Sequence, residues 1–192
     1  MKFDVIVIGG GLAGMKAAGL LIAKGKKVAV ITEGHSIHNV SYKEFQSADG
    51  TLLMGDCVVS SEVKDGKVLS VTTEKISDIP FEADYFILAT GKYFGGGIKA
   101  DMDHIWEPLF GCDIEADEDR STWFDWDFSK KQKFLDFGIK VDQDFRALSK
   151  GNAFENLYAC GEILAGLSGI GENADKEIEK TAEKVAENII NK

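Results

Sequence analysis

The first third of the chain carries two short apolar runs with an amphipathic stretch between them. The runs FDVIVI (residues 3–8) and KVAVIT (residues 27–32) have the nearly continuous apolar character of strands buried on both faces. Between them, residues 12–25 place apolar side chains at helical spacing and end on Gly25, as helices commonly do. The pattern predicts a βαβ unit.

Farther along, the pattern changes to that of antiparallel strands. Apolar and polar residues partly alternate in CVVSSEVKDGKVLSVTTEK, and the dipeptide Asp65-Gly66 separates its two halves. Because Asp-Gly favours a tight turn, we expect a β-hairpin over about residues 56–74, inside an insertion that covers about residues 51–76.

The second half of the chain returns to buried elements. The segments DYFILATG (84–91) and NLYACGE (156–162) are typical of buried strands that run into a glycine. Residues 172–191 place apolar side chains on one helical face, so an amphipathic helix is predicted there. Residues 95–135 are largely aromatic and acidic with weak periodicity, and we assign no element to them.

Composition narrows the class of protein. The chain has 192 residues, enough for one sizeable core, so we expect residues 1–192 to form a single domain. Its net charge of -10 argues against a broad contact with nucleic acid. No apolar run approaches the roughly 18 residues of a membrane helix, and no signal peptide is recognisable, so we expect no transmembrane segment.

The cysteines indicate a reducing compartment. Cys57, Cys112 and Cys160 are odd in number and far apart, which fits neither a disulfide framework nor a metal site. We therefore expect reduced thiols, no bound metal and a cytoplasmic location.

The turn after the first strand carries the clearest chemical signal. Gly9, Gly11 and Gly14 form G-x-G-x-x-G between a predicted strand and a predicted helix. The first glycine permits a tight turn, the second lets a pyrophosphate approach, and the third lets helix and strand pack. The N–H groups at the helix start, at Leu12 and Ala13, would face the phosphates. The sequence predicts a dinucleotide site, and a turn kept only for packing is the alternative.

The end of the second strand departs from the usual pattern. An acidic residue normally stands there and accepts hydrogen bonds from a ribose hydroxyl, but strand phase puts Thr32 at that place and Glu33 one step later. Because side chains alternate along a strand, one step can turn a carboxylate away from the ribose. We expect Thr32 or Glu33 to contact the ribose, and a solvated Glu33 is the alternative.

These segments together resemble a known superfamily. ILATG after a hairpin and NLYACGE before a C-terminal helix, behind G-x-G-x-x-G, are similar to the three segments that line the cofactor in flavoproteins with two dinucleotide-binding domains. Within that superfamily the chain resembles the B-subunit of anaerobic glycerol-3-phosphate dehydrogenase. The resemblance covers most of the chain and rests on segments in the same order: FDVIVIGGGLAGMKAA, VITEGHSIHNVS, LATGKYFGGGI, IWEPLFGCDI and FGIKVDQDFRAL…ENLYACGEILAG.

The resemblance implies a fold, a cofactor and partners. We expect an α/β, Rossmann-like FAD/NAD(P)-binding domain with a central parallel sheet and a small β-hairpin or meander. FAD is the expected cofactor, and FMN is the alternative. Members of that family act with a catalytic partner subunit and pass electrons from glycerol-3-phosphate toward quinone, so we expect such a partner or a homo-oligomer. The family's long insertion before the LATG strand is nearly absent here, which implies a flavin-binding core without most of its cap or substrate domain.

The resemblance also implies which residues contact the flavin nucleotide. The glycine turn would approach the pyrophosphate, the ATG turn would lie on its other side, and the CGE turn would lie near the ribitol or the pyrophosphate. Glu162 would accept a hydrogen bond from a ribitol hydroxyl, or else complement the dipole of the following helix. The predicted cofactor residues are Gly9, Gly11, Leu12, Ala13, Gly14, Thr32, Glu33, His38, Thr90, Gly91, Gly161, Glu162 and Gly171.

Other residues are weaker candidates for contacts with the flavin nucleotide. In the loop 165–173, which contains Gly171, N–H groups would stabilise negative charge on a reduced flavin, or the loop is an ordinary helix start. His35, Ser36 and His38 follow the second strand, where a histidine could contact a phosphate or a flavin carbonyl or simply lie on the surface. Lys92 and Lys99 are phosphate partners or solvated lysines.

No catalytic residue is assigned, because neither a Ser-His-Asp set nor a carboxylate pair can be argued. The chemistry would be that of the flavin. The sequence therefore predicts a flavoprotein oxidoreductase or a subunit of one. A non-catalytic flavin- or partner-binding module and an NAD(P)-binding protein are the alternatives, and the segments LATG and YACGE argue against the second. Substrate and electron acceptor stay open.

Overall fold

The N-terminal βαβ unit is present as predicted. A computed structural model describes residues 1–34 and 42–192 of the chain. Strand β1 (Lys2–Ile8) leads into helix α1 (Leu12–Ile22), which is followed by strand β2 (Val28–Thr32). The helix ends three residues before Gly25, because the Gly25 N–H already turns back to the carbonyl of Ile22 at 2.9 Å.

The remaining elements follow in chain order. A short helix α2 (Lys43–Ser47) and a long C-terminal helix α3 (Ala174–Ile190) complete the helices of the described ranges. Within the same ranges, 3₁₀ turns cover Arg120–Thr122, Lys133–Asp136 and Gly161–Ile163. The other strands are β3 (Thr51–Met54), β4 (Val58–Lys64), β5 (Lys67–Thr73), β6 (Phe81–Leu88), β7 (Lys99–Ala100), β8 (Ile105–Trp106), β9 (Ile114–Glu115), β10 (Gly138–Ile139), β11 (Arg146–Ser149) and β12 (Asn152–Ala159).

A mostly parallel sheet organises these elements. Within the described residues its strand order is β11-β12-β6-β1-β2-β3, and β12, β6, β1, β2 and β3 run parallel. Strand β11 pairs antiparallel with β12. The α/β, Rossmann-like class with a central parallel sheet is therefore confirmed. That residues 1–192 form a single domain stays a prediction.

The hairpin is also confirmed. Strands β4 and β5 pair antiparallel, with Lys64 opposite Lys67, so Asp65 and Gly66 make a two-residue turn. Both turn residues have positive φ, 51° and 78°, which is the backbone that an Asp-Gly turn favours. Strand β5 continues the ladder onto β6, so the hairpin is attached to the central sheet.

The apolar runs of β1 and β2 are continuous because both faces of the parallel sheet are covered. Along β1, Val5 and Val7 pack toward helices α1 and α3, whereas Ile6 and Ile8 pack toward the hairpin side. All four side chains are buried. Helix α3 buries the face predicted for it: Ile178, Ala182, Val185 and Ile189.

Several elements were not predicted. Strands β3 and β11 and helix α2 are short, and the strands β6 and β12 begin three and four residues before their predicted starts. Residues 95–135 contain the short strands β7, β8 and β9. Strand β7 pairs with β8, and β9 pairs with β10, which lies just after this segment. None of the helices in the described ranges is long and apolar enough to cross a membrane.

Glu107 organises the turn between β8 and β9. Its side chain is 2% exposed and accepts hydrogen bonds from the backbone N–H groups of Leu109, Phe110 and Cys112, at 2.8, 2.8 and 3.3 Å. Phe110 then packs edge-on against Phe154 of β12. One buried carboxyl group thus fastens this segment to the sheet.

We expect Glu107→Ala to lower the free energy of unfolding by about 3 kcal/mol, because it leaves buried backbone donors without an acceptor. Glu107→Gln keeps one acceptor oxygen and should lose less. Urea unfolding measures both variants, with the exposed Glu118→Gln as the control. A Glu107→Ala protein as stable as the control would contradict this role.

Candidate functional site

The carboxyl ends of the parallel strands meet at one edge of the sheet. In the register of the sheet, Ile8 lies opposite both Ile31 and Leu88, and Leu88 also lies opposite Ala159. Strands β1, β2, β6 and β12 therefore end nearly level. The chain leaves β1 toward β2 and β3 on one side, while β6 and β12 lie on the other, so a crevice opens beside β1 at the topological switch point.

The glycine turn after β1 is held against the neighbouring strand end. Gly9 has φ 108°, and a Cβ there would collide with the carbonyl oxygen of Ala89. A Cβ at Gly14 would collide with the carbonyl oxygen of Gly9. Gly11 differs, because no heavy atom lies within 4 Å of the position that its Cβ would take. Gly9 and Gly14 thus permit close packing, and Gly11 leaves open space beside the turn.

The start of helix α1 faces this open space. Gly11 is the residue before the helix, and within the described residues no side chain caps this end. The first N–H groups of an α-helix have no partner inside the helix, and they carry a partial positive charge. The first turn holds no acidic residue, so it offers an uncompensated site for an anion.

The turn after β6 forms the second wall. A Cβ at Gly95 would collide with the carbonyl oxygen of Thr90, and one at Gly97 with that of Gly91. The glycine-rich loop therefore folds tightly onto the ATG turn. The Thr90 hydroxyl is buried and has no hydrogen-bond partner among the described residues.

The turn after β12 forms the third wall. Gly161 packs on α1, since a Cβ there would lie 2.6 Å from the Cβ of Ala13. Its N–H donates to the hydroxyl of Thr181 on α3 at 2.8 Å. The next residue, Glu162, is half-buried and directs its carboxylate toward Gly91. This turn joins both long helices to the crevice.

The two candidate ribose contacts at the end of β2 differ in burial. Thr32 is 7% exposed and packs against Gly10, and its hydroxyl accepts a hydrogen bond from the N–H of Gly34 at 3.1 Å. Glu33 is exposed and borders the crevice. The buried Thr32 hydroxyl therefore accepts a hydrogen bond within the protein, whereas the exposed Glu33 carboxylate can turn toward a ligand.

A cavity of about 580 Å³ lies along this edge, within the size range of ligand sites. Predicted site residues that line it are Gly9, Gly11, Leu12, Ala13, Thr32, Glu33, Thr90, Gly91, Gly161 and Glu162. Gly14, which packs against the carbonyl of Gly9, and Gly171 are not in its lining. His38, with His35 and Ser36, lies outside the described residues.

The cavity also has walls that the sequence did not indicate. Residues 56–59 line it beside β2 and β3, and Pro108 and Leu109 line it from the segment fastened by Glu107. The Asp56 carboxylate accepts hydrogen bonds from the N–H groups of Cys57 and Lys75, at 2.9 and 3.0 Å, and so holds the two ends of the hairpin together. These walls depend on contacts between distant segments, which leave no local signal.

The three thiols are free and kept neutral. Burial raises the pKa of the Cys57 thiol, and the carboxylates of Glu74 and Glu33 raise it further. Burial raises the pKa of Cys160 to about 12, and Cys160 is a fully buried core residue. Neither thiol beside the cavity is activated as a nucleophile.

The two lysines considered as phosphate partners differ in exposure and in their contacts. Lys99 is exposed and lines the cavity. Lys92 is 8% exposed, and its ammonium group donates to the backbone carbonyl of Leu135. Burial lowers the pKa of Lys92 to about 8, although the nearby carboxylates of Asp136 and Glu162 oppose the shift. Lys92 thus links the glycine-rich loop to the segment 133–136 by a hydrogen bond, and it is not a solvated lysine.

The comparisons with known proteins agree with this geometry. The profile of the family described as FAD binding domain matches residues 4–42 and 43–174. The B-subunit of anaerobic glycerol-3-phosphate dehydrogenase from Vibrio vulnificus (strain YJ016) is 38% identical over 144 residues, which cover 73% of this chain and 33% of that protein. Its counterpart from Yersinia pestis bv. Antiqua (strain Antiqua) is 32% identical over 158 residues, 82% of this chain and 37% of that protein.

The resemblance to the B-subunit is therefore confirmed. The chain spans about a third of the length of the curated relatives it matches, 33% for the Vibrio vulnificus protein. Among solved structures, the bacillithiol disulfide reductase of Staphylococcus aureus superposes with a TM-score of 0.63 at 11% identity, covering 100% of this chain and 99% of that chain. This second likeness shows the fold alone.

We expect the wild-type chain to gain stability relative to Lys92→Met as the pH rises from 8 to 10.5. The folded pKa, about 8, lies below the ordinary value of 10.5, so the folded state bears the cost of a buried charge below pH 8. Between pH 8 and pH 10.5 the folded chain has released the Lys92 proton while the unfolded chain still keeps it. The cost of burying the charged ammonium therefore disappears over this interval. The full change is about 3 kcal/mol.

Urea unfolding at several pH values within this interval measures the difference. The exposed Lys64→Met serves as the control and should show no such trend. A Lys92→Met difference that is independent of pH would show that the ammonium is not held in a costly site.

Proposed function

We propose that this chain, which belongs to the FAD binding domain family, is a redox flavoprotein that works as an oxidoreductase or as a subunit of one. FAD is the cofactor of this family. The observation that carries the proposal is the convergence of three turns, after β1, β6 and β12, around one cavity. Glycines at each turn bring backbone, not side chains, to the cavity wall.

The residues present fit a dinucleotide. Open space at Gly11 lies beside the uncapped start of α1, where a pyrophosphate would find N–H donors and a favourable dipole. In this proposal Gly9, Gly11, Leu12 and Ala13 hold the pyrophosphate, with Gly14 supporting the turn from behind. Thr90 and the adjacent Gly91 line the opposite wall.

The remaining contacts are assigned by position. Gly161 and Glu162 would lie at the ribitol, where the Glu162 carboxylate accepts from a hydroxyl group. Glu33 would accept from the ribose of the adenosine, because its carboxylate is exposed at the crevice whereas Thr32 is buried. His38 remains a predicted contact of a phosphate or a flavin carbonyl, and Gly171 remains a predicted contact of the flavin ring. When bound, FAD supplies reversible transfer of one or two electrons.

The activity itself is part of the proposal. The relatives named above are subunits of anaerobic glycerol-3-phosphate dehydrogenase, and we propose that this chain passes electrons from glycerol-3-phosphate or a similar substrate. It would do so with a catalytic partner subunit, or as a homo-oligomer that completes the site. A cytoplasmic location stays a prediction from the cysteine content.

The short length of the chain relative to its relatives favours a second candidate function. Because the chain corresponds to about a third of those relatives, a flavin- or partner-binding module without its own turnover is the alternative. FMN in place of FAD is a further alternative for the cofactor, and it would leave the β2 side of the cavity unfilled. A nicotinamide nucleotide is disfavoured by the family match, which extends through the later turns to residue 174.

We expect the purified chain to bind FAD and to show flavin absorption in the visible range. Gly11→Ala should weaken FAD binding about tenfold or more, because its Cβ takes the space where the pyrophosphate approaches. It should leave the thermal midpoint of the cofactor-free chain unchanged, since nothing within 4 Å is displaced.

Fluorescence titration with FAD and FMN measures the binding. Gly19→Ala on the same helix, which also has open space around its Cβ position, is the control. Equal FAD affinity in the Gly11→Ala and Gly19→Ala proteins would remove the turn from the cofactor site.

We also expect the FAD-loaded chain to support glycerol-3-phosphate-dependent reduction of an artificial acceptor when it is mixed with the other subunits of the Vibrio vulnificus enzyme. Turnover should be slow or absent with the chain alone, because the proposed substrate site is incomplete. Normal FAD binding without turnover in either assay would favour the non-catalytic module.

A further inference from the structure

The carboxylate of Glu162 lies between two glycines that belong to different loops. Gly91 follows β6, and Gly169 lies in the loop before α3. A Cβ at Gly91 would lie 3.7 Å from Oε2 of Glu162. A Cβ at Gly169 would collide with Oε1 and would also lie 3.0 Å from Cγ. The Glu162 side chain therefore occupies the space that any side chain at position 169 would need.

The backbone itself does not require glycine at this position. Gly166 and Gly171, in the same loop, have φ of 74° and 137°, which L-residues rarely adopt. Gly169 is not among the residues with positive φ. The three heavy atoms nearest to its Cβ position all belong to Glu162. The nearest obstacle to a side chain is thus one flexible neighbour, which could move away without unfolding the chain.

The trapped orientation points Glu162 at the cavity. Glu162 lines the cavity together with Gly91 and Gly161. Its carboxylate accepts no hydrogen bond from the part of the chain that the structure describes, so its oxygens are available to a ligand hydroxyl. The buried ammonium of Lys92, just after β6, attracts this carboxylate electrostatically.

We propose that Gly169 is a positioning residue for FAD binding, because its missing side chain lets the Glu162 carboxylate lie against the loop and face the crevice. A methyl group at position 169 turns the carboxylate out of this place and removes its contact with the cofactor. The inference rests on the proposed FAD site and adds to it a residue that lies outside the cavity lining.

A double-mutant cycle tests the proposal, with FAD affinity measured by fluorescence titration for the wild type, Glu162→Ala, Gly169→Ala and the double variant. Loss of one hydrogen bond to a charged group should weaken binding about tenfold or more in each single variant. The double variant should bind like Glu162→Ala alone, because no carboxylate remains to be displaced. Gly19→Ala is the control, with unchanged affinity.

The outcomes separate the two proposals. A wild-type chain that does not bind FAD overturns the proposed function itself. If the wild type binds, an unchanged affinity in Gly169→Ala overturns the positioning role. So does a further loss on adding Gly169→Ala to Glu162→Ala, since the loop and not Glu162 would then be responsible.

Thermal unfolding of the cofactor-free proteins guards against a folding defect. If Gly169→Ala fails to fold, the double variant should fold like Glu162→Ala, because the collision has been removed. A double variant that also fails to fold shows that the loop backbone requires glycine, which contradicts the proposal.

Discussion

The close approach of backbone segments at the carboxyl edge of the parallel sheet is the constraint on which the site depends. Gly9 lies against the carbonyl of Ala89, Gly14 against the carbonyl of Gly9, and Gly161 against Ala13. Each contact leaves no room for a side chain. Because strands β1, β6 and β12 end level, these turns surround one crevice with main-chain groups beside the start of α1.

These main-chain groups explain how an acidic protein can hold an anion. The net charge of -10 gives an unfavourable field for phosphates at long range. Helix N–H groups act within the first turn, where the field of distant surface carboxylates is screened by salt. Binding by oriented backbone therefore suits this chain better than binding by lysines, one of which, Lys92, is instead used inside the fold.

Local pattern was enough to predict the sheet, the hairpin and the glycine turns, because strand burial, Asp-Gly and G-x-G-x-x-G are encoded by neighbouring residues. It was insufficient where distant segments decide the outcome. Strand β3 is short and is defined by pairing with β2. The segment 95–135 is fixed by Glu107 and Lys92 through contacts that have no periodicity. The space shared by Glu162 and Gly169 likewise exists only in three dimensions. The individual cofactor contacts remain proposals.

A crystal structure of the chain grown with FAD would show directly whether the three turns hold the cofactor. We expect a diphosphate beside Gly11 and the first turn of α1, with the ribitol near Glu162 and the adenosine toward Glu33. An FAD molecule bound elsewhere, or a crevice filled by the protein's own side chains in the presence of saturating FAD, would contradict this placement.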